Sequence, residues 1–401
     1  MGRLSALHRD LSGAAREIPG DTGRVAPSFT SSRAARWLVP VGVLAVIAAG
    51  TTFNATSAGA SSPDLPAKSA AQLLAAVAQA TPQPFSGSVS ESTDLGLPAL
   101  PGGSSTSLSW QSLITGTHTG KVWVASPQQV RLALIGDLSE SDVVRNGSDL
   151  WLWSSGDNTV DHVALPAGSQ LPDKVPSSMT SLTPDVVASK LLTALDPTTQ
   201  VSVDRTAMVA GRPVYELVVT PRQTGSLVAS VRVAIDSETS MPLGVWVYAV
   251  GQDAPAFRSE FTSITFARPD SSVFAFSPPA AATVTERTLP DLPKSRASSP
   301  AVPRVSSEKP IVVGHGWTSV IEATGLSWLV SGAGTSGGSA SGSSGAALAL
   351  VLRSATPVSG TYGSGRLIES SLLTVLLLDN GKVYAGAVTP AVLEQAASSA
   401  R

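Results

Sequence analysis

Residues 120–166, GKVWVASPQQVRLALIGDLSESDVVRNGSDLWLWSSGDNTVDHVALP, hold two tryptophan-bearing strands, Val122-Trp123-Val124-Ala125 and Leu150-Trp151-Leu152-Trp153. Between them lie a Pro-broken strand and an Asn146-Gly147 turn. Alternate residues of a strand face opposite sides of its sheet, so Trp151 and Trp153 share one face and Leu150 and Leu152 the other. Both faces are therefore apolar. An antiparallel sheet commonly keeps one face wet, so a second apolar face calls for a cover: a helix, another domain or an apolar ligand. The stretch predicts an apolar binding surface ahead of a catalytic site.

Working outward, the pattern predicts strand after strand from Phe85 to about Phe276, joined by short turns that imply antiparallel neighbours and one large curved sheet. A helix is expected over Ala67 to Ala80, ended by Thr81-Pro82, and another over Pro184 to Leu195, with Thr183 as its N-cap and Asp196-Pro197 as its stop. Residues 288–310 are rich in Pro and Ser and read as a linker. A smaller unit follows over 311–401, with strands near Trp317 to Ala323, Ala346 to Leu352, Leu372 to Leu378 and Val383 to Val388, and a helix starting near Pro390. Within it, residues 331–345 consist of Ser, Gly, Ala and Thr alone and read as a flexible loop. The predicted fold is α+β, a sheet of incomplete-barrel shape over residues 67–287 wrapped on helices, plus a small C-terminal α+β domain.

Charged residues make up 14% of the 401-residue chain and the formal net charge is -2, which removes the basic face that a nucleic-acid binder needs. The chain has no cysteine, so thiol catalysis, thiolate metal sites, disulfides and a cysteine-linked lipid anchor are all excluded. Trp37 to Phe53 carries no charge and, at about the lower end of the 17–25 residues that cross a bilayer, reads as a short transmembrane anchor or a signal segment. Residues 1–36 hold six Arg against three acids, which places that tail in the cytoplasm and everything beyond the 54–66 linker outside. A signal cleaved after Ala58-Gly59-Ala60 is the alternative reading.

Little else points to chemistry. Gly332 to Gly337 matches a dinucleotide fingerprint and Gly334 to Gly338 a nucleophile elbow, but both lie inside the Ser/Gly loop, without the strand-turn-helix frame that gives either motif its function. Gly116 to Lys121 falls one residue short of a phosphate loop. His8, His118, His162 and His315 are scattered, so no metal site or cofactor is expected. The expectation is a non-enzymatic protein whose sheet-lined cavity draws on Trp110, Trp123, Leu132 and Leu134, on Trp151 and Trp153, and on Leu217, Val219, Val231, Val233 and Trp246.

The ordered motifs resemble a known family. Gly120 to Pro127 followed by Val130-Arg131-Leu132, then Asn146 to Trp153, is similar to the strand pair of the LolA-type lipoprotein carriers. Leu217 to Pro221, Val231 to Asp236 and Phe274 to Pro279 continue the likeness in order, over about Ala67 to Glu286. Gly381 to Pro390 before a short helix resembles the end of the RseB/MucB-type periplasmic regulators, which couple such a domain to a small C-terminal one. The resemblance implies an unclosed antiparallel barrel whose interior takes acyl chains, lipid or lipidated protein. The regulator alternative implies a membrane anti-sigma factor as partner. The carriers place an Arg before the Pro that ends the first Trp strand; Ser126 stands here, which with the anchor favours a tethered lipid-binding or sensing protein over a diffusing shuttle.

Overall fold

In the computed structural model the described residues are 63–96, 116–136, 139–165, 183–193, 197–288, 310–324 and 355–399. The expected membrane segment 37–53, the Ser/Gly loop 331–345, the strand near Ala346 and Trp110 lie outside them. Among the described residues no helix is long and apolar enough to cross a membrane. They form a large, unclosed sheet with a helix-covered inner face, and a second sheet docked against it.

Helix α1 (Ala70–Gln79) starts at Ser69, whose hydroxyl accepts from the Gln72 N–H while the Gln72 side chain accepts from the Ser69 N–H, a reciprocal cap that fixes the first turn. Eleven antiparallel strands follow in or around it: β1 (Phe85–Thr93), β2 (Gly116–Ser126), β3 (Gln129–Ile135), β4 (Glu140–Asn146), β5 (Asp149–Ser154), β6 (Thr159–Ala164), β7 (Thr199–Val209), β8 (Arg212–Pro221), β9 (Val228–Asp236), β10 (Pro242–Ala249) and β11 (Pro255–Thr265), with helix α2 (Pro184–Thr193) between β6 and β7. A twelfth, β12 (Thr283–Thr288), pairs in parallel with β6. The order is β12-β6-β5-β4-β3-β2-β1-β11-β10-β9-β8-β7, so the two halves of the meander join where β1 meets β11.

Register fixes which residues share a face. Leu217, Val233, Val245, Ser259, Glu91 and His118 form one rung across six strands, and the next rung runs Val219, Val231, Val247, Phe257, Thr93 and Gly116. This is the inner face: Leu73 of α1 packs into the same cluster as Leu217, Val233 and Val245. The opposite, outer face carries the tryptophans. There Trp123, Arg131, Val144, Trp151 and His162 lie across five strands in one rung.

The outer face is covered by the chain after β11. From Phe266 it rounds the sheet, makes a 3-10 turn at Ser271–Phe274 over β3 and β4, and continues to β12. Phe274 is buried, Phe276 meets Trp151 at 5.5 Å between ring centroids, and Arg131 donates to the Val273 carbonyl at 3.3 Å. β12 is then fastened by side-chain hydrogen bonds and an ion pair as well as by its ladder. His162 lies between Asp149 (2.9 Å) and Glu286 (2.6 Å) and stacks on Trp151 at 3.8 Å, and Arg287 pairs with Asp161 at 2.9 Å.

The second sheet has the order β13-β14-β18-β17-β16-β15, built from β13 (Ile311–Val313), β14 (Val320–Ala323), β15 (Thr356–Gly360), β16 (Gly363–Glu369), β17 (Thr374–Leu378) and β18 (Val383–Gly386). Helix α3 (Pro390–Ser399) buries Leu393, Ala396 and Ala397 against it. Its docking on the large sheet is specific. Leu227 donates to the Ala387 carbonyl (2.9 Å), Thr389 to that of Gly225 (2.8 Å), the Trp317 indole to Thr199 (2.8 Å), and Leu372 is wholly buried in the core that α1 covers. A side chain added at Gly225, whose φ is +90°, would come within 2.6 Å of Val392, so this contact requires glycine.

Five strands depart from the sequence reading. β4 was not expected, because Glu140, Asp142 and Arg145 break its apolar pattern. Likewise β12, β15 and β16 are too polar or too rich in Gly and Ser to read as strands, and β13, though apolar, is only three residues long. All five take their place through pairing with a neighbour.

Glu91 interrupts the apolar inner face. It is 2% exposed, its carboxylate oxygens find no hydrogen-bond partner, and burial pushes its pKa to about 8. The folded state therefore holds a proton that the unfolded chain releases above about 4.5. Stability contributed by that proton is complete below the unfolded value and is lost as pH rises to about 8. Urea unfolding at pH 5, 7 and 8.5 is expected to show E91Q gaining on the wild type by a few kcal/mol, of order 1.4 per pKa unit, as pH rises; parallel pH profiles would contradict it.

Candidate functional site

A cavity of about 380 Å3 opens between the inner face of the sheet and the helix ends. Its floor follows from register: Val122, Leu132 and Val143 stand side by side on β2, β3 and β4, and Val124, Val130 and Arg145 form the next rung. Phe85 and Phe266 close one side. The roof is the chain leaving α1 (Val77 and residues 80–83), the start of α2 (Thr183, Asp185, Val186) and the turn of residues 239–242. The predicted stop at Thr81-Pro82 thus does more than end a helix, since it turns the chain across the cavity mouth.

The walls are mainly apolar, aliphatic on the floor with Phe85 and Phe266 at one side, and among their polar groups two side chains, Arg145 and Asp185, are ionisable. Arg145 is 1% exposed and its Nε donates to the Gly147 carbonyl at 3.3 Å; burial lowers its pKa. Asp185 is shifted upward, chiefly by burial, against an opposing hydrogen bond from Thr183. The arrangement can hold an apolar chain by the hydrophobic effect, with a few polar groups to orient it. Its volume lies within the range of about 300–1,000 Å3 usual for small-molecule pockets. Among the described residues no group of His, Asp and Glu could hold a metal ion.

The expected site residues divide into three sets. Leu132 lines the cavity, and Leu134 lies on the same inner face further along β3, opposite Gly120. Leu217, Val219, Val231 and Val233 also face inward, but as core beneath α1. Trp123, Trp151 and Trp153 face the other way. Trp123 lies under the Arg131 guanidinium at 5.6 Å, Trp151 is held between His162 and Phe276, and Trp153 stands opposite Asp142. Trp246 packs against Gly244, where an added side chain would come within 2.7 Å of the indole. The tryptophan lining is therefore corrected: those strands offer their Val and Leu side to the cavity and their indoles to the covering strap. The sequence reading missed Val122, Val143, Arg145 and Asp185. Val122 and Val143 could have been reached from the alternation that placed Leu132, once its face was known.

Comparison with known proteins gives the following. Residues 105–286 match the family model described as "Predicted periplasmic protein (DUF2092)". No curated protein matches the chain. Among solved structures, the chain is similar to the MucA/MucB complex of Pseudomonas aeruginosa at 15% identity, over 81% of this chain and 94% of that one, with a TM-score of 0.37. It is similar to a LolA superfamily protein of Nitrosomonas europaea at 12% identity, over 52% and 99%, with a TM-score of 0.22. A putative outer membrane lipoprotein-sorting protein domain of Vibrio parahaemolyticus aligns at 11% identity, over 51% and 94%, with a TM-score of 0.21.

The assignment of faces is testable by filling. Val122→Trp is expected to abolish uptake of an environment-sensitive apolar dye by occupying the floor of the cavity. Trp153→Phe, on the outer face, should leave uptake within about twofold. Loss in the second variant with retention in the first would place the site on the wrong side of the sheet.

Proposed function

We propose that this is a non-enzymatic extracytoplasmic protein, held at the membrane by residues 37–53, that binds an acyl chain, lipid or the lipid of a lipidated protein in the cavity above β2, β3 and β4. The observation that carries the reading is the aliphatic cavity between sheet and helices, floored by Val122, Leu132 and Val143. Burying an apolar chain there contributes about 0.8 kcal/mol per methylene, and a single-chain ligand needs no catalytic group. The periplasmic description of the family model that matches residues 105–286 is consistent with this location. Native mass spectrometry of the full chain from bacterial membranes is expected to show a co-purified lipid mass. A protein that emerges empty and takes up no fluorescent fatty acid would remove the reading.

A second reading, regulation of an envelope-stress pathway through a membrane anti-sigma factor, draws on one feature of the docking. Leu372, from the loop before β17, is buried in the core under α1, so the small unit is packed into the large one. Ligand occupancy would then alter the surface that the small unit presents. Cross-linking of the full chain in membranes is expected to recover such a factor, with a yield that changes when fatty acid is added; recovery indifferent to fatty acid would argue against coupling.

A further inference from the structure

Of the twelve strands of the large sheet, β12 is the one whose described side chains are all exposed: Thr283 to Arg287 bury nothing, and Val284 is 42% exposed. Its neighbour is the reverse. β6 is rooted in the structure through the buried Val160 and Val163, so its edge keeps its shape whether or not β12 lies against it. β12 is also the one strand of that sheet that adds in parallel, at the end of a tether and not from a hairpin. We propose that β12 exchanges between two copies of this chain, each giving residues 283–288 to the β6 edge of the other. That edge is then a self-association surface, and the second copy supplies the Glu286 that stands beside His162.

The occupant follows from what the edge recognises. Beside the backbone ladder, His162 Nδ1 meets the Glu286 carboxylate at 2.6 Å and Arg287 reaches Asp161 at 2.9 Å. The edge therefore selects a parallel strand with an acid followed by a base, and a second copy of the chain carries that strand. Closed and exchanged forms make the same β6 contacts, so the balance between them is set by concentration and by the hinge. The hinge favours exchange. Phe274 and Phe276 stay fixed over the sheet, and residues 277–282, Ser-Pro-Pro-Ala-Ala-Ala, must turn the chain onto β6. Ala282 closes that turn by donating to the Pro279 carbonyl at 3.1 Å, and Ala281 is held at φ +68°, left-handed backbone that an alanine adopts at a cost and a glycine does not. The two prolines ahead of it favour extended chain. Against release stands the bond from Asn158 Nδ2 to the Ala281 carbonyl at 3.0 Å. Exchange lets residues 277–282 run extended between copies, which removes the left-handed turn.

The chain has no cysteine, so single cysteines report the exchange without background. Thr159 and Thr283 are register partners on β6 and β12, and both are exposed. Full-length T159C and T283C, mixed at high concentration and treated with a short bis-maleimide, are expected to give a heterodimer whose linked peptides join positions 159 and 283. Its yield should exceed that of either same-site homodimer by about fivefold or more. A281G, which relieves the turn, should lower the heterodimer yield by about threefold or more when placed in both partners. The double variant T159C/T283C, cross-linked while dilute, has β12 locked on its own β6 and should lose the dimer that the wild type forms on concentration. A mixture that yields only same-site homodimers, or a locked variant that dimerises as readily as the wild type, overturns the exchange. A heterodimer yield that A281G leaves unchanged overturns the role of the hinge.

Discussion

A sheet region that is apolar on both faces, as in the tryptophan-bearing half here, persists in water only if each face has its own cover, and this molecule is organised around that requirement. On the inner side the cover is α1, α2 and Leu372 of the docked small unit, which together close over Leu217, Val233 and Val245. On the outer side it is the strap from Phe266 to β12, which lays Phe274 and Phe276 over the tryptophan strands. The two covers differ in kind. Helices bury an apolar stripe over a broad sheet, whereas the strap is held at few points, by the Arg131 bond to Val273, the contact of Phe276 with Trp151, the His162–Glu286 hydrogen bond and the Arg287–Asp161 pair.

The cavity lies where the inner cover stops short. Beneath α1 the face is filled core; past its C-terminus, beyond Pro82, the same face continues over β2, β3 and β4, roofed only by the helix ends and the turn of residues 239–242. Site and core are thus one surface in two conditions, which explains why residues such as Leu132 and Leu217 looked alike in the sequence. Polar groups mark the difference. Glu91 stands within the covered region with no partner, while Arg145 and Asp185 line the cavity.

Much of the large sheet was legible because strand alternation and turn residues are local signals: Asn146-Gly147 gives its hairpin, with Gly147 at φ +64°, and Val122 to Ala125 and Leu150 to Trp153 fall within the observed strands. Period-two alternation also showed correctly that both faces were apolar. What it could not supply was which face looked inward, since that depends on helices and a strap distant in sequence. Indoles, having the largest apolar area, were the natural candidates for a binding surface, yet large flat rings serve equally well beneath a covering segment. The Phe274 to Pro279 motif was visible as part of a resemblance, but its place over Trp151 required the register of strands made more than a hundred residues earlier. β4 shows the same limit: Asp142 and Arg145 look like breaks in a pattern until Asp142 finds Arg131 and Arg145 finds the cavity.

The parallel pairing of β12 bears on the order in which the chain can assemble. Every other strand of the large sheet precedes the strap in sequence, so during synthesis from the N-terminus the meander can form while Trp123, Trp151 and Trp153 still face solvent. Only when residues 266–288 arrive does the outer face close, and β12 must then add to an existing edge instead of growing from a hairpin. A chain folded only as far as β11 would thus present an exposed aromatic sheet face, the kind of surface that chaperones hold and that aggregation exploits.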